Sequence, residues 1–167
     1  MSVLFRAVTY ASLFIGLLLV LLPAQLLSRS GISPPEAIGA AQHTGMLITT
    51  GGGVLALWCI VSFAVVGRGT PAPFDPPRRL VVRGPYAVVR NPMYIGAGLA
   101  LAGASLFYSS LVLLGYAAAF LLTTHLFVVL YEEPTLRRTF GTDYDAYCQQ
   151  VRRWWPRMSK RRRRGSA

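Results

Sequence analysis

The residues able to do chemistry fall in two places far apart in the chain. The first is Arg83-Gly84-Pro85-Tyr86-Ala87-Val88-Val89-Arg90-Asn91-Pro92-Met93-Tyr94-Ile95-Gly96. Asn is a strong N-cap and Pro is favoured at the first helical position, so a helix should start at Pro92. Its N-terminus offers free N–H groups and partial positive charge, and Arg90 adds a bidentate donor. Arg90 and Asn91 therefore read either as a carboxylate receptor or as a basic anchor beside a capped helix. The second place is Glu132-Glu133-Pro134, directly after a long apolar run. Charge there is costly unless solvated or in use, so the pair is either an interfacial helix cap or half of a binding site. Pro134 suggests that a new helix starts with the glutamates at its N-terminus. Two carboxylates facing an Arg-rich loop suit a ligand that is both cationic and anionic. His125 lies deep in the apolar run, seven residues before Glu132 and on nearly the same helix face. An ionisable side chain at that depth is a functional candidate. The bland alternative is a neutral His bonded to a nearby carbonyl or Thr.

The elements that must position these groups follow from hydropathy. The chain has 167 residues, 53% hydrophobic and 14% charged, with mean hydropathy +0.46. Ala7 to Leu27 and Gly45 to Gly67 carry no charge, and Met93 to Tyr131 carries no Asp, Glu, Lys or Arg over 39 residues. A bilayer core takes ~20 apolar residues per helix, so the last run predicts two helices with a bend at Tyr108-Ser109-Ser110. The expected fold is all-α and integral to a membrane, with about four transmembrane helices, since only helices satisfy the backbone in such segments. The first run exceeds the ~7–15 residues of a signal h-region and is expected to be a retained span. The chain divides into two N-terminal spans (1–67), a cytoplasmic loop (68–92), a hairpin with a C-terminal helical segment (93–157) and a basic, disordered tail (158–167), all one membrane domain. The tail would attract anionic lipid.

Charge sets orientation. Residues 68–90 hold five Arg and one Asp, net +4, residues 132–167 are net +6, and the loop 28–43 is net zero. Arg-rich segments stay in the cytoplasm, which puts both termini inside. The net charge of +11 is explained by these loops and needs no nucleic-acid partner. Cys59 and Cys148 form neither a disulfide framework nor, with two scattered His, a metal site.

The motifs G-P-Y-x-x-V-R-[H/N]-P-M-Y-x-G at Gly84 to Gly96, E-E-x-x-L-x-x-x-F-G-x-x-Y-x-x-Y at Glu132 to Tyr147, and V-x-R-[W/F]-x-P at Val151, Arg153, Trp154 and Pro156 keep one order over residues 78–157. This stretch resembles the membrane methyltransferases that include isoprenylcysteine carboxyl methyltransferase and the phospholipid N-methyltransferases. The resemblance implies S-adenosylmethionine as cofactor. It carries a sulfonium, an ammonium and a carboxylate, and so is one ligand that is both cationic and anionic. The family's G-x-G and E-E pairs fall on Gly96, Gly98, Glu132 and Glu133. Arg90, Asn91 and Tyr94 are expected to complete the pocket. Missing side chains at Gly96 and Gly98 mean either room for a ligand or close helix packing. The eukaryotic prenylcysteine enzymes have His where this chain has Asn91, so no proton transfer can occur at that position.

The resemblance also implies the reaction. Methyl transfer is a displacement at an activated carbon, so no metal is expected, and positioning in a dry site suffices. A carboxylate acceptor needs only an Arg to hold it, and Arg153 is the candidate. An amine acceptor must lose a proton, which gives His125 or a glutamate a role. The acceptor is expected to be lipophilic or lipid-modified and to enter from the bilayer. Sixteen Arg to one Lys point to a GC-rich bacterial genome and hence a bacterial inner membrane. Two alternatives stay open: a nicotinamide-dependent membrane sterol reductase, which usually shows Asn-Tyr at Met93-Tyr94, and a small non-enzymatic membrane component.

Overall fold

The computed structural model describes residues 9, 13, 15–67 and 79–157. The tail (158–167) and residues 68–78 of the loop lie outside the described residues. Every regular element among them is helical. Helix α1 is Leu22–Arg29, continuing from π turns at Gly16–Leu21. Helix α2 is Ala40–Ser62, α3 is Pro92–Phe107 and α4 is Leu111–Phe127. Two short helices follow, α5 (Glu133–Phe140) and α6 (Thr142–Gln150). Two helical stretches are long and apolar enough to cross a membrane, Ala40–Gly67 and Leu111–Phe140, and Gly16–Arg29 and Pro92–Phe107 are shorter apolar helices.

The hairpin turns where the sequence predicts. Helix α3 stops at Phe107, Ser109 takes a positive φ of 49°, and Ser110 caps α4 by accepting from the Leu113 N–H at 3.2 Å. That cap satisfies one of the orphan donors of the first turn. Residue 109 is the one non-glycine with a left-handed backbone among the described residues, which marks a turn rather than a bend in a continuing helix.

Helices α2 and α3 pack backbone to backbone. A Cβ on Gly52 would lie 2.5 Å from the Gly96 carbonyl oxygen, and one on Gly103 would lie 2.5 Å from Thr49 N. Gly45 meets Gly103 and Phe107 in the same way. Small residues let helices approach closely where apolar surroundings supply no hydrophobic drive between them. Thr49 Oγ1 donates across this seam to the Ala100 carbonyl at 3.2 Å. The π turns before α1 pack on the other side of the hairpin. Leu18 and Leu19 contact the Ala97, Leu101, Ala117 and Phe120 cluster, and Tyr116 Oη donates to the Leu18 carbonyl at 2.8 Å. The outer faces are apolar: Leu47 is 75% and Leu111 83% exposed. Exposed apolar surface on this scale marks an interaction with an apolar medium or partner.

The C-terminal part folds under the hairpin. Gly141, at φ +52°, separates α5 from α6. Tyr144, Tyr147 and Val151 form a buried cluster, and Tyr147 Oη donates to the Tyr86 carbonyl at 2.7 Å. The chain then runs back along the Arg90 segment: Arg90 N–H donates to the Arg152 carbonyl at 2.9 Å and Asn91 N–H to the Arg153 carbonyl at 3.3 Å. This strap, residues 151–155, brings the last motif onto the first.

Candidate active site

Helix α3 starts at Pro92, as expected, but Asn91 does not cap it with its side chain. Its Nδ2 instead donates to the Arg153 carbonyl at 3.4 Å, so the strap takes the group that would have turned back on the helix. Asn91 is buried. The residue therefore ties two motifs together.

The helix does not break at Pro134. Instead α4 passes into π turns at Val128–Glu132 and on into α5 without interruption, the Glu133 N–H reaching the Val128 carbonyl. Proline removes one donor and crowds the preceding turn, and i→i+5 bonding is a way to absorb both. The widened turns also change phase. Eight residues of unbroken α-helix would leave His125 and Glu133 ~80° apart. Wider turns advance less per residue and bring those two onto one face. The expectation that His125 shares its face with Glu132 is corrected accordingly: Glu132 turns toward α3.

Each carboxylate has its own partners. Tyr94 Oη donates to Glu132 Oε2 at 3.0 Å, and Oε1 of Glu132 has no partner among the described residues. Glu133, only 8% exposed, accepts a fork from Arg153: Nε to Oε1 at 2.7 Å and Nη2 to Oε2 at 2.8 Å. Arg90 Nη1 adds a third contact to Oε1 at 3.1 Å. The hydrogen bond to Glu133 holds the Arg153 guanidinium above its ordinary value. The same Arg90 nitrogen lies 2.7 Å from Cys148 Sγ, while Arg90 Nε is buried without a partner. Both guanidinium groups meet on one carboxylate: Glu133 takes three contacts, while one oxygen of Glu132 has no partner among the described residues.

His125 is half-buried and sits deeper than Glu133 along the helix. Trp154 Nε1 donates to its Nδ1 at 3.1 Å, with the rings tilted and their centroids 5.9 Å apart. Consecutive strap residues thus grip the two aligned positions, Arg153 on Glu133 and Trp154 on His125.

The structure brings Arg90, Asn91, Tyr94, Glu132, Glu133 and Arg153 together and reaches His125 through Trp154. It turns the glycines elsewhere. Gly96 faces α2, where a Cβ would meet the Gly52 carbonyl oxygen at 2.7 Å, and Gly98 faces α4, where it would meet Leu121 Cδ2 at 2.5 Å. Of the two readings of these glycines, these contacts support packing. Sequence reasoning gave Trp154 and Cys148 no role. Trp154 carried a usable signal, a donor-only ring beside a motif Arg. Cys148 carried none.

A hydrophobic helical hairpin with a buried carboxylate–guanidinium cluster at its charged end is the pattern of a helical protein of membrane type. Residues 41–143, well over half of the chain, match the phospholipid methyltransferase family. The chain belongs to that family, and membership implies methyltransferase activity at a membrane. Comparison with curated proteins and with solved structures returned no match.

Proposed function

We propose that the protein transfers a methyl group from S-adenosylmethionine to a lipophilic or amphiphilic acceptor at the cytoplasmic face of a membrane. The observation that carries this reading is the Tyr94–Glu132 pair, with a carboxylate oxygen unpartnered among the described residues, next in the chain to the Arg90–Glu133–Arg153 cluster. When bound, S-adenosylmethionine supplies a methyl carbon already activated by its sulfonium. Glu132 Oε1 would face the cationic part of the cofactor. The N–H groups in the first turn of α3 would take its carboxylate. Tyr94 holds Glu132 in place. Glu133 and Arg153 stiffen the floor of the site by neutralising one another.

Arg153 is thereby drawn away from the role expected for it, holding an acceptor carboxylate, since the Nε–Nη2 edge of its guanidinium is committed to Glu133. In this reading it is a positioning residue. The loop 68–92, the strap and the termini lie on the cytoplasmic side of four spans, and the acceptor slides in from the bilayer between apolar helix faces. Such walls cannot satisfy a polar acceptor's hydrogen bonds without a large desolvation cost, whereas an alkyl chain lies there freely.

Isothermal titration calorimetry of S-adenosylmethionine in detergent tests this. Glu132→Gln should weaken binding by roughly 1–3 kcal/mol, the scale of a lost charged hydrogen bond. Tyr94→Phe should weaken it less. Unchanged affinity in Glu132→Gln would remove that carboxylate from the cofactor site.

A further inference from the structure

His125 offers an N–H group at membrane depth for which the described residues supply no partner. Its Nδ1 accepts from the Trp154 indole at 3.1 Å. Indole nitrogen only donates, so the Nδ1 lone pair is occupied and the proton of the ring sits on Nε2. That Nε2–H has no hydrogen-bond partner among the described residues, and the side chain is only half-buried. Thr124, next to it, spends its hydroxyl on the Phe120 and Leu121 carbonyls. An N–H left facing hydrocarbon is costly, so an occupant of this position must bring an acceptor atom.

Depth decides what kind of acceptor atom. The Glu133 carboxylate lies roughly 10–12 Å nearer the end of the helix, at ~1.5 Å per residue. Both charges of Arg90 and Arg153 are engaged there. Among the described residues no basic side chain contacts His125. Placing an anionic oxygen at this depth would bury a charge against a neutral donor, which is far costlier than burying a hydrogen-bonded neutral oxygen. A neutral carbonyl is the favoured partner.

We propose that Trp154 is a positioning residue that fixes His125 as an Nε2–H donor, and that this donor recognises a neutral carbonyl oxygen, an acyl ester or amide, lying below the reacting head of a lipid acceptor. The proposal rests on the reading that an amphiphilic acceptor occupies this site. It makes His125 a specificity determinant for acylated lipids. It also removes His125 as general base, because the nitrogen facing the acceptor already carries the proton.

The test is imidazole nitrogen NMR on the full chain in a maltoside detergent, which contains no carbonyl. A His43→Gln background leaves His125 as the single imidazole signal, since the chain has two His. The expected spectrum shows protonated Nε2 and an accepting Nδ1. Glycerol monolaurate should shift the Nε2 resonance, and its ether analogue 1-O-dodecylglycerol, identical but for the carbonyl, should not. In Trp154→Phe the tautomers should mix and the ester response at fixed probe concentration should fall about fivefold, the scale of one lost hydrogen bond. A protonated Nδ1 in the unaltered Trp154 protein would overturn the proposal, as would equal response to ester and ether. Both readings need only the Trp154-containing protein, so they stand if the Phe variant does not fold. Calorimetry of S-adenosylmethionine on the same sample separates the two levels. An ester-selective shift without cofactor binding would sink the methyltransferase reading and keep the donor. Cofactor binding with no ester selectivity would do the reverse.

Discussion

Removing the Arg153 side chain should loosen the site from the inside. In the folded protein its guanidinium makes two hydrogen bonds to Glu133, at 2.7 and 2.8 Å. Bonds to charged groups are worth ~1.5–3 kcal/mol each, which sets an upper limit of ~6. Two features lower that figure. The Arg153 side chain is 31% exposed, so water screens the pair and partly replaces it. Arg90 remains on Glu133 Oε1 at 3.1 Å, so the carboxylate is not stranded. About 2 kcal/mol remains for Arg153→Ala, roughly a thirtyfold change in the folded-to-unfolded ratio. The strap's backbone bonds from Arg90 and Asn91 do not involve the deleted atoms, so the fold should persist. Arg153→Lys should recover part of the loss, because it restores the charge without the planar fork. Equilibrium unfolding in mixed detergent, followed by tryptophan fluorescence, measures this. A double-mutant cycle with Glu133→Gln should show a coupling of about 1–2 kcal/mol. If the two substitutions add within ~0.5 kcal/mol, the pair contributes nothing and the strap is held by its backbone alone. A fully stable Arg153→Ala whose only defect is a raised KM for the acceptor would return Arg153 to substrate binding.

The glycine seam makes a contrast. Gly52→Ala and Gly103→Ala should each destabilise by about 1–3 kcal/mol, since their Cβ atoms would lie 2.5 Å from backbone atoms of the facing helix, whereas Gly51→Ala and Gly53→Ala have open space and should be neutral or slightly stabilising; thermal unfolding in detergent ranks them. The proposed four-span topology puts Ser33 outside and Thr70 inside, so in a Cys-free background an impermeant thiol reagent should label Ser33→Cys in intact cells and spare Thr70→Cys. Acceptors differing only in chain length should gain up to ~0.8 kcal/mol in kcat/KM per buried CH₂ until the cavity fills, and a flat series would mean that the site opens to water rather than lipid.

The hairpin was legible without coordinates because its signals are local. A 39-residue uncharged run, a Tyr-Ser-Ser break and an Asn-Pro start each specify backbone conformation within a few residues, and the structure turns at Ser109 and starts α3 at Pro92. The paired charges and the order of the motifs likewise placed Arg90, Asn91, Tyr94, Glu132, Glu133 and Arg153 near one another. Which partner each takes was not legible, because it depends on helix phase and on an element from far along the chain. The π turns at Val128–Glu132 rotate Glu133 toward the strap and Glu132 toward Tyr94, dividing two adjacent, chemically identical side chains between a guanidinium clamp and a single tyrosine hydroxyl. Gly96 and Gly98 show the same limit. A glycine reads as missing volume in sequence, and only the facing helices, at Gly52 and Leu121, determine what fills it. Trp154 and His125 stand 29 residues apart and meet only because the strap returns beneath the hairpin. Residue types alone set what chemistry is possible here, and the phase of one helix with the path of the last segment decides which atom performs it.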